Sequence, residues 1–348
     1  QRLAAGTGEA QHPAVLDVGA DQHDASVPAC LDDRALLDHD VTGQTVGFVD
    51  QRRDLLLVCR NVSAIGHADE SPYPWDTLDF KGLSVSRAAA LFCSMARDSF
   101  QNFRFGSGLP PALYYEVAKF SYRRAMFRAF LERRPLTAFL GRDDYNWEHI
   151  IRSQELRKAG KQSLGVNHGL PVFSLIEPTW RYIDFDMYYT FGSHLYNRYY
   201  KETWSPQTVV KPVGSIEMTY SRHQRLGQDR GNDIVYFSAP YYGHRIISEV
   251  FEIARMLPDR RVLIKVKASR RAEGRETDLL EALADSPENV RESREDSYDL
   301  LLRTKFVLAA TSSIAAESIQ FGAIPLVFDP IDCDKPFYYR DFPDLCVN

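Results

Sequence analysis

The sequence predicts an α/β protein of two Rossmann-like parallel-sheet domains facing a central cleft, and three observations carry that prediction. The first is the stretch Phe306 to Pro330. Phe306 to Ala310 is an apolar run of strand length, Thr311, Ser312 and Ser313 are helix N-cap residue types, and Ile314 to Phe321 has helical character. Gly322 then closes the helix, and Ile324 to Phe328 is a second buried strand. The second is the alternation of strand and helix patterns from Asp233 onward, which implies a parallel sheet joined by right-handed crossovers. The third is Ser221 to Asn232, a polar, charged segment punctuated by glycine that reads as a linker. The expected division is residues 1–220, a linker over 221–232, and residues 233–348.

Length and composition narrow the function classes. At 348 residues the chain suits two domains with their own cores, and 44% hydrophobic with 26% charged residues are globular proportions. A net charge of -5 argues against a nucleic-acid binder driven by overall charge. No run reaches the ~18 apolar residues of a membrane span, and Gln1 to Gln11 lacks the regions of a signal peptide. Cys30, Cys59, Cys93, Cys333 and Cys346 are scattered without Cys-x-x-Cys spacing, which indicates neither a disulfide framework nor a zinc site and suits a reducing cytoplasm.

In the first 80 residues, Ala14 to Val18, Thr45 to Val49 and Leu55 to Cys59 read as strands, and Trp75 falls in a Pro-rich loop. Val85, Ala88, Ala89, Phe92, Met95, Ala96, Phe100 and Phe103 recur at helical spacing, which predicts a core-facing helix. Pro110 and Pro111 open a second helix running to about Arg134, with Lys119, Arg123, Arg124, Arg128, Arg133 and Arg134 along it. Those cations describe either a solvated face or a surface for anionic lipid or a phosphate-bearing acceptor. Leu136 to Leu140 and Gln162 to Val166 are strands, each delivering polar residues onto a following loop. Loops at the carboxyl ends of parallel strands line the ligand crevice, so Asp143, Asp144 and His168 are expected at one edge, as candidates for the base that a transfer or hydrolysis needs. Either aspartate could instead cap a helix, and His168 could be an ordinary loop residue. The tyrosines between Tyr182 and Tyr200 read as packing.

The later half points to a phosphorylated ligand. Ser238 and Tyr241 follow one strand, Lys265 and Lys267 bracket the end of another, and Thr311, Ser312 and Ser313 open a helix whose N–H groups suit phosphate. Glu317, about one turn in, could accept hydrogen bonds from two ribose hydroxyls; the same pattern describes a plain N-cap with a first-turn carboxylate. Alternate residues of a strand face opposite ways, so at most one of the two lysines reaches a ligand unless the strand has ended by Lys267. Neither a Gly-x-x-x-x-Gly-Lys-Ser/Thr loop nor a Gly-x-Gly-x-x-Gly fingerprint is present.

Asn167-His168-Gly169, the run Asp184 to Gly192, Pro212-Val213-Gly214, and Thr311-Ser312-Ser313 followed by Glu317 and Gly322 together resemble GT-B fold transferases of bacterial surface polysaccharides. The similar enzymes are those using CMP-activated Kdo or sialic acid and the CDP-glycerol glycerophosphotransferases. The resemblance covers roughly residues 136–330 and implies a nucleotide-sugar donor held by the carboxyl-terminal domain and an acceptor site in the amino-terminal one. Ser312 and Ser313 match the phosphate motif, His168 the His-Gly loop, and Asp143 or Asp144 the acidic loop. One departure is Lys265-Val266-Lys267-Ala268, where relatives carry Lys-x-His-Pro. The family also implies a final helix returning to the first domain, for which the residues after Pro330 leave little length.

The expected protein is therefore a metal-independent glycosyltransferase that moves Kdo or a related acidic sugar from a CMP-linked donor to a lipopolysaccharide or capsule acceptor. It would need no cofactor, bind no nucleic acid, and work in the cytoplasm, in peripheral contact with the inner membrane. The alternatives are a CDP-glycerol-type glycerophosphotransferase, a nucleotide-sugar hydrolase or epimerase on the same architecture, and a noncatalytic binding module.

Overall fold

The computed structural model describes residues 14–18, 55–59, 75–106, 108, 110–134, 136–141, 144, 147–170, 178–228, 230–238, 243–266, 281–309, 312–328, 341–342 and 346–347. The first lobe runs β1 (Ala14–Val18), β2 (Leu55–Cys59), β3 (Trp75–Thr77), α1 (Val85–Gly106), α2 (Pro111–Arg133), β4 (Ala138–Gly141), α3 (Glu148–Lys158), β5 (Gln162–Val166), α4 (Pro178–Arg181), β6 (Met187–Thr190) and β7 (Val209–Pro212). After α5 (Tyr220–Gln224) the second lobe runs β8 (Gly231–Phe237), α6 (Gly243–Met256), β9 (Val262–Lys265), β10 (Val290–Ser293), α7 (Ser297–Arg303), β11 (Thr304–Ala309), α8 (Ile314–Gln320), β12 (Ile324–Phe328) and β13 (Cys346–Val347).

Both sheets are parallel, in the orders β3-β2-β1-β4-β5-β6-β7 and β10-β9-β8-β11-β12-β13. Counted from its own first strand, the second sheet repeats the 3-2-1-4-5-6 winding of the first. Each lobe therefore has a point where the winding reverses, between β1 and β4 and between β8 and β11. Crevices at the carboxyl ends of strands beside such a reversal are where open α/β sheets take ligands. The two parallel-sheet α/β domains expected from the sequence are present.

Hydrophobic burial accounts for the strands. β8 ends in a run of apolar residues, Ile234 to Phe237, covered on both faces, with Val235 and Tyr236 fully buried, and β9 contributes Val262, Leu263 and Ile264 to the same interior. Val235, Leu263, Leu300, Val307 and Phe321 pack on one side of this sheet, and Tyr236, Ile246, Val250 and Ile264 on the other. In the first lobe Phe127 and Phe130 of α2 pack with Leu136, Phe139 and Leu156. The tyrosine-rich run behaves as packing: Tyr188 and Tyr200 are buried with Trp180, Ile183, Phe185 and Trp204.

Several expectations are corrected. Trp75 belongs to a strand, β3, paired with β2 rather than to a loop. The helix Val85–Gly106 does not face a core, for Val85, Phe92, Phe100 and Phe103 are 88%, 65%, 64% and 54% exposed. α2 occupies the inner layer, and α1 rests on α2 by another face, where Arg128 donates to Ser94 Oγ at 2.6 Å and Asn102 to Ser121 Oγ at 3.0 Å. Periodicity identified an apolar stripe but not which side of the helix is covered. The cations of α2 are also not a uniform outer face. Arg124 and Arg128 turn toward α3 and reach the Glu155 carboxylate at 3.3 and 2.7 Å, and Arg123 pairs with Glu148 at 3.0 Å.

Segment Thr45 to Val49 lies outside the described residues. The stretch expected to be a linker contains α5, whose Arg222 and the following Arg225 pair with Asp296 and Asp299 at 2.9 and 2.8 Å.

Two carboxylates give the stability a pH dependence of known sign. Burial pushes Glu155 upward, but hydrogen bonds from Arg128 and Lys158 and their charges outweigh it and hold the carboxyl below its ordinary value. Burial likewise raises Asp233, and Arg261 at 2.7 Å with Arg303 at 2.8 Å outweighs it. A depressed folded pKa stabilises fully above the unfolded value of about 4 and is lost as pH falls through the folded one. Urea midpoints are thus expected to be level from about pH 7 to 5 and to decline below about pH 4. A midpoint as high at pH 3 as at pH 7 would remove these pairs from any account of stability.

Candidate functional site between the lobes

The carboxyl ends of β4 and β5 lie side by side, with Gly141 opposite Gly165, so the loops that follow them meet. Asp144 is fully buried there. Its Oδ2 accepts from the Tyr188 hydroxyl at 2.5 Å, the His168 backbone N–H at 2.9 Å and Asn167 Nδ2 at 3.0 Å. Asn167 Nδ2 also donates to the Gly169 carbonyl at 2.8 Å and to the Tyr188 oxygen at 3.0 Å. Burial first, and then the adjacent Asp144 charge, push the Tyr188 phenol well above its ordinary pKa, so it remains a donor. This carboxylate accordingly fixes the shape of the Asn167-His168-Gly169 loop from inside the protein. His168 is half-buried on that loop, and Asp143 lies outside the described residues.

The loop then crosses to the other lobe. Leu170 is buried in the second lobe's core with Val235, Phe237, Ile314 and Ala315. Gly169 faces the start of α8 so closely that a methyl group placed on it would lie 3.6 Å from Ser313 Oγ. Loop 167–170 is thus held at one end by a buried carboxylate of the first lobe and at the other by an apolar anchor in the second.

In the second lobe, Phe237 pairs with Ala309 across β8 and β11 and with Lys265 across β8 and β9. Ser238 and Ser312 therefore follow adjacent strands at the reversal of winding. The Ser238 N–H donates to the Lys265 carbonyl at 3.0 Å, and its Oγ is buried with no hydrogen-bond partner among the described residues. Ser313 sits at the N-cap of α8 without a side-chain capping bond, while Ser312 Oγ accepts weakly from Ile314 N–H at 3.4 Å. The Ser313 hydroxyl is not used to cap its own helix. Lys265 turns toward β10, donating to the Glu295 carbonyl at 2.5 Å, which points its ammonium away from β11. Tyr241, Lys267 and Thr311 lie outside the described residues.

Glu317 is where the sequence was least able to anticipate the surroundings. Its side chain is buried, and Oε2 accepts from Ser215 of the first lobe at 2.6 Å and from the Tyr298 hydroxyl at 3.1 Å. One turn on, Gln320 Oε1 accepts the Ser215 N–H at 2.5 Å. Gly214 makes the turn that presents Ser215: its φ is +85°, and a β-carbon there would lie 2.5 Å from the Gln320 amide. These contacts span residues 102 and 105 positions apart, which no local pattern reports.

A second crossing ties residues 194–199 to residues 341–342. Asp341 accepts from Tyr199 and lies 3.1 Å from His194 Nε2 and 3.4 Å from Arg198 Nε, with Phe342 packed on the His194 ring. Among the described residues, no group of three or more His, Cys, Asp or Glu side chains has the arrangement of a metal site, and no helix is long and apolar enough to cross a membrane.

Comparison with known proteins agrees at the level of fold. No family model matches the sequence, and no curated protein matches it. Among solved structures, UDP-N-acetylglucosamine 2-epimerase from Rickettsia bellii superposes with a TM-score of 0.52 at 10% identity, over 93% of this chain and 80% of its own. A protein assigned as a UDP-N-acetylglucosamine 2-epimerase from Listeria monocytogenes gives 0.50 at 12% identity, over 92% and 79%. These identities speak for a common GT-B-type fold and nothing finer.

Proposed function

We propose that this chain is a nucleotide-sugar enzyme of the GT-B type, and specifically a metal-independent glycosyltransferase acting in the cytoplasm. The observation that carries the reading is the approach of the His168 loop to Ser313. It brings an imidazole-bearing loop of one lobe to the serine pair at the strand reversal of the other. The donor's phosphate would be received by Ser238, Ser312 and Ser313, with Lys265 at the crevice margin. Fixed donors of this kind stabilise charge growing on a leaving phosphate. His168 or Asp143 would take the proton of the acceptor hydroxyl as the new glycosidic bond forms and the bond to phosphate breaks. Asp144 would hold the loop rather than meet the acceptor, because its carboxylate is enclosed and already accepts three hydrogen bonds.

The motif resemblance favours a cytidine donor carrying Kdo or a related acidic sugar for a lipopolysaccharide or capsule acceptor. A thermal-shift panel of CMP, CDP, UDP and GDP tests the site without an assay. At a hundredfold excess over Kd the matching nucleotide stabilises the native state by about 2.7 kcal/mol, and Ser313→Asp, placing a carboxylate against the phosphate, is expected to abolish the shift. No shift with any of the four nucleotides would count against the donor site.

An epimerase or hydrolase is the second reading, favoured by the names of the two solved structures just described. Incubating the protein with the sugar nucleotide and no acceptor separates the two readings. Rapid epimerisation or release of free sugar would replace the transferase reading, whereas a transferase leaves the donor nearly intact.

A further inference from the structure

The two lobes meet through packed side chains as well as through polar bonds. Leu170 is 7% exposed and shares its cluster with Val235, Phe237, Ile314 and Ala315, all of the second lobe. Among the described residues it is the one first-lobe member buried in that cluster. Phe191 and Leu195, in the segment after β6, pack against the same cluster. Strands β5 and β6 are neighbours, and the Asn167 N–H donates to the Tyr189 carbonyl at 2.8 Å. The two segments that dock on the second lobe therefore leave the first sheet side by side. Leu195 also packs against the first lobe's own aromatic cluster, which contains Tyr188, Tyr200 and Trp204. Tyr188 in turn donates to Asp144, the carboxylate that holds the His168 N–H.

Two packed routes thus run from the second lobe to His168. One passes through Leu170, on the same loop, and the other through Leu195, Tyr188 and Asp144. Packed interiors hold discrete arrangements and do not deform continuously. We propose that Leu170 and Leu195 are positioning residues for His168: with the lobes docked they hold its loop in the reactive place, and with the lobes parted they release it. Docking of the lobes and readiness of the base are then one event, which withholds proton transfer from an open crevice. The inference rests on the reading of His168 as the group that takes the acceptor proton.

Kinetics with the donor named by the nucleotide panel, together with hydrogen–deuterium exchange of the unliganded protein, test this. Leu170→Ala is expected to lower kcat by at least ~10-fold, as a displaced reacting group does, with the donor's KM and the nucleotide thermal shift unchanged. Leu170→Met, close to leucine in volume, should restore most of the rate. In a His168→Ala background Leu170→Ala should cost nothing further, because a residue that acts through another is not additive with it. A purely structural role would give the same loss in both backgrounds, and that result overturns the proposal. Exchange of the Asn167 to Gly169 amides should quicken in Leu170→Ala while β8 and β11 keep wild-type protection; unchanged exchange at those amides also overturns it. Leu195→Ala, on the other route, carries the same expectations should Leu170→Ala not fold. Full turnover by His168→Ala would end the reading of His168 as the base, and the coupling of loop to lobe would then be decided by exchange alone.

Discussion

Asp144→Ala is expected to destabilise the protein by at least about 3 kcal/mol, because it removes the acceptor for three donors in a fully buried place. Leaving a buried donor unsatisfied costs about 1–3 kcal/mol. The Tyr188 hydroxyl, the His168 N–H and one hydrogen bond of Asn167 are stranded together, although Asn167 keeps the Gly169 carbonyl. The cavity left by the carboxylate adds to the loss. Asp144→Asn should fall between, since its amide oxygen still accepts while its NH₂ confronts groups that are themselves donors. Urea unfolding at pH 7 measures both. A change below about 0.5 kcal/mol for the alanine variant would mean that Asp144 does not organise this loop. Tyr188→Phe and Asn167→Ala, which remove single partners, should each lose less than Asp144→Ala.

His168→Ala carries the second large effect, on turnover rather than stability. If its imidazole takes the acceptor proton, the variant should lose at least ~10² in kcat while the nucleotide still raises the melting temperature. The wild-type rate should fall in acid as the imidazole takes up a proton, and the variant should lack that limb. The rate is measured with the donor named by the thermal-shift panel. Turnover within threefold of wild type would move the base to another group, with Asp143 the next to replace. Loss of nucleotide binding along with turnover would instead give His168 a role in the donor pocket.

The elements were legible where burial is simple. Gln162 to Val166 and Ile324 to Phe328 stand out as short runs bounded by turn residues, and both are strands with those limits. Ser297 to Arg303 carries its own start signal in Asp296, whose carboxylate accepts from the N–H groups of Tyr298 and Asp299. The facing of α1 was not legible, because an apolar stripe looks the same in sequence whether a core or something outside the chain covers it. For the site, adjacency of the β4 and β5 loops followed from strand order alone, which is why Asp144 and His168 could be grouped. The enclosure of Asp144 could not be read, since no local pattern reports it. Ser215 carried no signal at all, since its importance comes from Glu317 and Gln320 on the opposite lobe.

Because Glu317 already receives the hydroxyls of Ser215 and Tyr298, a sugar ring arriving at this carboxylate trades one set of hydrogen bonds for another. Such an exchange contributes little net affinity, yet it removes one of the bonds that join the first lobe to α8, with Gln320 still holding the Ser215 N–H. Occupancy of the nucleotide crevice and loss of that one fastening would then be a single thermodynamic event, and a ligand lacking the ribose hydroxyls would fill the crevice with the Ser215–Glu317 bond intact.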